Sequence, residues 1–126
     1  MAKYIDGFVF VVPKGKVSKY KEMARDGANA WKKYGALEYF ECMGEDLTPK
    51  STGGPKPLSF TKMTKAKPNE TVWFSFITFK SKKHRDEVNA KVMKAMEEKY
   101  VNNEDMQMPF DMKRFAYGGF EVAIEA

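Results

Sequence analysis

Few residues of this chain could do acid–base or ligand chemistry, and each stands alone. His84 is the only histidine, so it is the only side chain whose ordinary pKa lies near neutrality. It sits in Ser81-Lys82-Lys83-His84-Arg85-Asp86, the polar first turn of an expected helix. That context predicts an exposed helix-start residue, with a general base or metal ligand as the alternative. The basic neighbours disfavour a bound cation. Cys42 is the only cysteine. A reactive thiol wants a basic neighbour or a helix N-terminus to lower its pKa, and Cys42 has Glu41 beside it, so a packed, inert cysteine is expected. A zinc or iron site typically draws on three or four His, Cys or carboxylate ligands. One His, one Cys and no His-x-x-x-His spacing give no such set, and neither a metal nor an organic cofactor is expected. A nucleophile elbow and a phosphate-binding Gly-x-Gly-x-x-Gly are both missing from the sequence.

The more informative polar residues stand among apolar ones. Asp6 shares a strand face with Tyr4 and Phe8, and Glu41 shares one with Tyr39 and Met43. Carboxylates in such settings pair with a cation or have raised pKa values, and both situations are common at functional sites. Lys113 and Arg114, next to Asp111, are the expected partners. A structural ion pair at a subunit seam competes with contact to a ligand. Trp31, Trp73 and Tyr117 would line a pocket between sheet and helices, or simply fill the core. The candidate ligand-contacting set is therefore Asp6, Glu41, Trp73, Asp111, Lys113, Arg114 and Tyr117. Met106, Met108 and Met112 form an adaptable apolar cluster suited to a pocket lid or a dimer contact. Gly118-Gly119 interrupts the last aromatic strand, and glycine inside a strand usually marks a bulge or a close backbone approach.

The elements that must position these residues follow from periodicity. Tyr4 to Val12 reads as a strand apolar on both faces, with a turn at Pro13 to Gly15. Lys16 to Tyr34 has helical spacing (Val17, Tyr20, Ala24, Gly27 or Ala28, Trp31, Tyr34), lysines on its other face and Gly35 as its stop. Ala36 to Asp46 is a second strand. Leu47 to Asn69 is a long loop in which Ser59 to Ala66 forms a short helix or strand. Thr71 to Lys80 is the clearest strand, again apolar on both faces. Ser81 caps a helix to about Tyr100 with Arg85, Val88, Val92 and Met96 along one stripe. Asn102 to Met108 is polar loop, and Phe115 to Ile124 is the last strand. The order β-α-β-β-α-β is the ferredoxin-like arrangement of a four-stranded antiparallel sheet with two helices on one face, an α+β fold. Sheet faces apolar on both sides predict a second copy packed against the open one.

At 126 residues the chain is expected to be one domain spanning 1–126. The net charge of +5 is spread along the chain, so a solvated surface is favoured over a nucleic-acid footprint. The lone cysteine fits a reducing compartment, and no apolar run approaches the roughly 20 residues of a membrane span. A cytoplasmic protein without membrane contact is expected.

Tyr4-Ile5-Asp6-Gly7-Phe8-Val9, Glu41-Cys42-Met43-Gly44-Glu45-Asp46, Glu70-Thr71-Val72-Trp73-Phe74-Ser75-Phe76-Ile77 and the run from Met108 to Phe120 together resemble the YbaA-like bacterial proteins of unknown function. The resemblance spans essentially the whole chain, and its C-terminal motif is the most specific part. It implies membership of the dimeric α/β-barrel superfamily, and hence a homodimer with a barrel formed between subunits. Superfamily relatives include cofactor-free monooxygenases and haem proteins, but no motif here matches theirs, so no catalytic residue carries over. The expected function is binding a small apolar or aromatic molecule, with its transformation without a cofactor as an extension. A non-catalytic stress or interaction module, and RNA binding through a basic surface, are the alternatives.

Overall fold

Local chemistry sets the element ends. The computed structural model describes residues 3–50, 53–100 and 109–126; the loop expected over Asn102 to Met108, with Met106, lies outside them. Strand β1 runs Tyr4–Pro13 and a single 3-10 turn, Lys14–Lys16, leads into helix α1, Val17–Lys33. Gly35 ends α1 with φ of 117°, and the Ala36 N–H donates to the Trp31 carbonyl at 2.9 Å. That is the Schellman stop, in which only glycine adopts the left-handed backbone freely. Strand β2 is Glu38–Met43, helix α2 Phe60–Thr64, strand β3 Glu70–Phe79, helix α3 Lys82–Tyr100 and strand β4 Ala116–Glu121. Ser59 caps α2, its hydroxyl accepting from Lys62 N–H at 3.0 Å, and Ser81 caps α3, accepting from His84 N–H at 3.1 Å.

The four strands form one antiparallel sheet in the order β2-β3-β1-β4, the ferredoxin-like topology. Helix α2 falls where a short helix or strand is expected over Ser59 to Ala66. One sheet face carries Asp6, Phe8, Phe10 and Val12 from β1, Trp73, Ser75, Ile77 and Phe79 from β3, and Tyr39 and Glu41 from β2. Helices α1 and α3 cover this face. Its core has two centres, Ala36, Ile77, Phe79, Val88 and Val92 at one end and Phe10, Val12, Tyr20 and Trp73 at the other. Among the described residues the opposite face is covered at one end only, where α2 packs on β1 and β3 and Val11 and Val72 are buried. Elsewhere on it Phe40, Phe74 and Phe120 are 44%, 47% and 62% exposed.

The Gly118-Gly119 pair makes no bulge. Strand β4 pairs with β1 in unbroken register from Tyr4↔Glu121 to Val9↔Ala116. The glycine is needed for close approach instead: the Tyr4 ring lies over Gly119, where a Cβ would stand 2.6 Å from Tyr4 Cε2.

Candidate functional site

Between the two core centres the inward sheet face turns polar. Register sets Glu41 of β2 directly opposite Ser75 of β3, and α1 lays Tyr20 across them. Three hydroxyls converge on the Glu41 carboxylate. Tyr20 donates to both oxygens, at 2.9 Å to Oε1 and 2.8 Å to Oε2. Tyr39 donates to Oε1 at 2.8 Å, and Ser75 donates to Oε2. No lysine or arginine takes part among the described residues. Burial, then the Glu41 charge, pushes both the Tyr20 and Tyr39 phenols above their ordinary pKa of 10.0. Both phenols are thereby kept protonated, as donors. Gly27 of α1 admits the Tyr39 hydroxyl: a Cβ there would lie 3.2 Å from it.

Two cavities meet at this cluster. The inner one, about 160 Å³, is lined by Phe8, Phe10, Phe110, Phe115, Trp31 and Ile77 together with Tyr20, Tyr39, Glu41 and Ser75. The outer one is a groove of about 420 Å³ between α1 and β2, with Lys21, Ala24, Arg25 and Ala28 on one wall and Tyr39, Glu41, Met43 and Trp73 on the other. Tyr39, Glu41 and Ala24 border both. A mostly apolar concavity with a few convergent polar groups is the usual form of a small-molecule site. Among the described residues no group of three or more His, Cys, Asp or Glu is placed to hold a metal ion.

Of the residues singled out from the sequence, Glu41 and Trp73 come together here; the other five do not. Trp73 is 2% exposed, donates from Nε1 to Thr71 Oγ1 at 2.8 Å and stacks on Phe10, so it forms the groove's floor. Asp6 does not pair with Lys113 or Arg114. Its buried carboxylate accepts from Arg85 Nη1 at 2.8 Å and Asn89 Nδ2 at 3.0 Å, both on α3, because β1 faces α3 at that point while Arg114 lies at the far end of the sheet. Arg114 instead grips Glu70 with two bonds of 2.7 Å and reaches Asp111 at 3.2 Å. Lys113 is exposed, and its backbone N–H donates to Asp111. Tyr117 is 73% exposed and stacks on Phe8 at the β4 edge. Trp31 does line the inner cavity, its Nε1 held by Asn89 Oδ1 at 2.9 Å.

Two further expectations need correction. Cys42 is exposed rather than packed, since β2 is an edge strand and Cys42 points to the open sheet face. His84 is half-buried: Nδ1 accepts from Lys80 N–H at 3.0 Å and the ring meets Phe79 edge-on, a structural post at the start of α3.

Tyr20, Tyr39 and Ser75 were absent from the sequence-derived set. Tyr20 and Tyr39 looked like ordinary core aromatics. The usable signal was Ser75, the one polar residue on the inward face of β3 between Trp73 and Ile77, which implies a polar partner across the sheet.

Residues 3–112 match the family described as "Protein of unknown function (DUF1428)". The chain is 42% identical over 123 residues to the uncharacterized protein YbaA of Escherichia coli strain K12, covering 98% of both chains. The YbaA protein of Shigella flexneri matches to the same extent. Among solved structures, an amidohydrolase/peptidase candidate from Burkholderia cenocepacia aligns with 95% of this chain at 8% identity and a TM-score of 0.30. This chain spans 27% of that protein, and a likeness so slight carries no argument. The match over nearly the whole chain, together with the YbaA identity, places this chain in the DUF1428 family.

Proposed function

We propose that this protein binds a small, mainly apolar or aromatic molecule between α1 and the sheet, oriented by the Glu41 cluster. The observation that carries this is a carboxylate engaged by three hydroxyls and bordered by two cavities. Buried polar networks are expensive unless every member is satisfied, and an apolar core would fill the same space more simply. The chemistry open to such a set without a cofactor is proton transfer, with Glu41 as base. Screening a fragment library by protein-observed NMR tests the binding. Shifts confined to Tyr20, Tyr39, Ser75 and Trp31, weakened by Tyr39→Phe, are expected; no hit on those residues would sink the reading.

The same reading includes a second copy of the chain on the open sheet face. A groove of about 480 Å³ there is lined, among the described residues, by Ile5, Gly7, Phe74, Phe76 and Phe120. Contiguous exposed aromatic surface of this kind favours a protein contact. With no cation among those residues, it suits a matching apolar face better than a phosphate backbone.

A further inference from the structure

We infer that the ligand of the α1–β2 groove is an organic acid whose carboxylate is held by Lys21 and Arg25. This rests on the ligand reading above and names the class of molecule. Lys21 and Arg25 stand one turn apart on α1, and both line the groove whose opposite wall holds Glu41. Neither makes an ion pair among the described residues. The acid next to Arg25, Asp26, bonds to Lys99. Glu41 forms no ion pair with either of them; its oxygens are bonded to Tyr20, Tyr39 and Ser75 instead.

The groove is thus polarised. Two cations stand on one wall, hydroxyl-bound Glu41 on the other, and Ala24, Ala28, Met43 and Trp73 line the space between. Concave sites with apolar walls focus the field of unpaired charges and concentrate counter-ions, and an arginine fork fits a carboxylate through two donors. At the other end the Tyr39 hydroxyl donates its one proton in the hydrogen bond to Glu41. Its oxygen is left as an acceptor for a hydroxyl or amine on the ligand. The molecule that satisfies every group has a carboxylate, a short apolar body and a hydrogen-bond donor at its far end.

The test is a panel of aryl and alkyl carboxylic acids, each paired with its primary amide, titrated into the full chain and into Lys21→Gln/Arg25→Gln. Both positions are exposed, so the variant is expected to fold, which circular dichroism checks. Acids should bind about tenfold more tightly than their amides, the gain that two partly exposed charge contacts supply. The double variant should erase that advantage, leaving acid and amide to bind alike. Equal affinity for acid and amide, or an acid preference that survives the double substitution, overturns the charge inference while the pocket stands. If neither class perturbs Tyr20, Tyr39 or Ser75, both fall together.

Discussion

The three protons aimed at Glu41 decide what the tyrosines of the site can be. Tyr20 and Tyr39 have folded-state pKa values raised above 10.0 by burial and by the neighbouring carboxylate. In the unfolded chain these phenols ionise near 10. A raised folded value means their contribution to stability is fully present below pH 10 and is lost as pH rises beyond it. Two outcomes are expected. In the folded protein, phenolate absorbance should report fewer than the six tyrosines above pH 10, the remainder ionising only on unfolding. The fall in stability on the alkaline side should also be shallower in Tyr20→Phe/Tyr39→Phe. Six tyrosines titrating together near pH 10 with the fold intact would refute the assignment. Glu41 stood out in the sequence because a carboxylate between Tyr39 and Met43 on an inward face demands a partner. The identity of its partners did not. Hydroxyls from residues 21 positions before it and 34 after it meet there only because strand register and helix placement bring them together.

Two ion pairs join elements rather than decorate them. Arg85 on α3 reaches Asp6 on β1, tying that helix to a central strand, while its guanidinium also lies 4.8 Å from the Tyr4 ring centroid. Arg114, in a second 3-10 turn, Met112–Arg114, before β4, holds Glu70 at the first residue of β3 and donates to the Lys65 carbonyl at the end of α2 at 3.2 Å. Three elements are pinned by one guanidinium. The Arg114 hydrogen bonds lower the Glu70 pKa from 4.5 to about 2. A depressed folded value contributes stability that is present above pH 4.5 and lost as pH falls toward 2. Glu70→Gln is therefore expected to be less stable than the parent at pH 7 and to show a flatter loss between pH 4.5 and 2, measured by urea unfolding across that range. Parallel curves for parent and variant would mean the pair contributes nothing. The fold was largely legible because strand and helix periods were clean: β1, β3 and α3 fell within a residue or two of their expected limits. Strand β2 proved shorter than Ala36 to Asp46, since pairing with β3 ends at Met43↔Trp73 and the chain then leaves the sheet at Gly44, where a Cβ would press on Leu47 and the Val72 carbonyl. Pairing partners were less legible. Arg85 sat in an otherwise apolar stripe of α3 just as Asp6 sat on an apolar strand face, and two opposite charges at inward positions are the signal that joins them.

Among the described residues the sheet has one face closed by helices and one that is largely open. Helices α1 and α3 close the inward side, but α2 is five residues long and, among the described residues, shields only the end of the other side around Val11 and Val72. Phe40 and Phe76 pack ring to ring at 5.0 Å, and Phe74 and Phe76 at 5.7 Å, so the open face is an ordered aromatic surface rather than scattered exposure. Phe120 of β4 extends it, its ring edge near the position a Gly7 Cβ would occupy, 3.4 Å away. Glycine at position 7 leaves a shallow depression beside Phe120, bounded by Ile5, Phe74 and Phe76. If a second copy covers this face, aromatic anchors at its centre should dominate association. Phe74→Asp and Phe120→Asp are each expected to weaken the dimer by about 2 kcal/mol or more. Both side chains are substantially exposed in the single chain, so each substitution should leave the monomer folded. Sedimentation equilibrium at micromolar concentration distinguishes the outcomes. A parent dimer that both substitutions convert to folded monomer supports the face as the seam. A parent that sediments as a monomer, or a dimer indifferent to either aspartate, places the contact elsewhere and leaves this aromatic surface to a different partner.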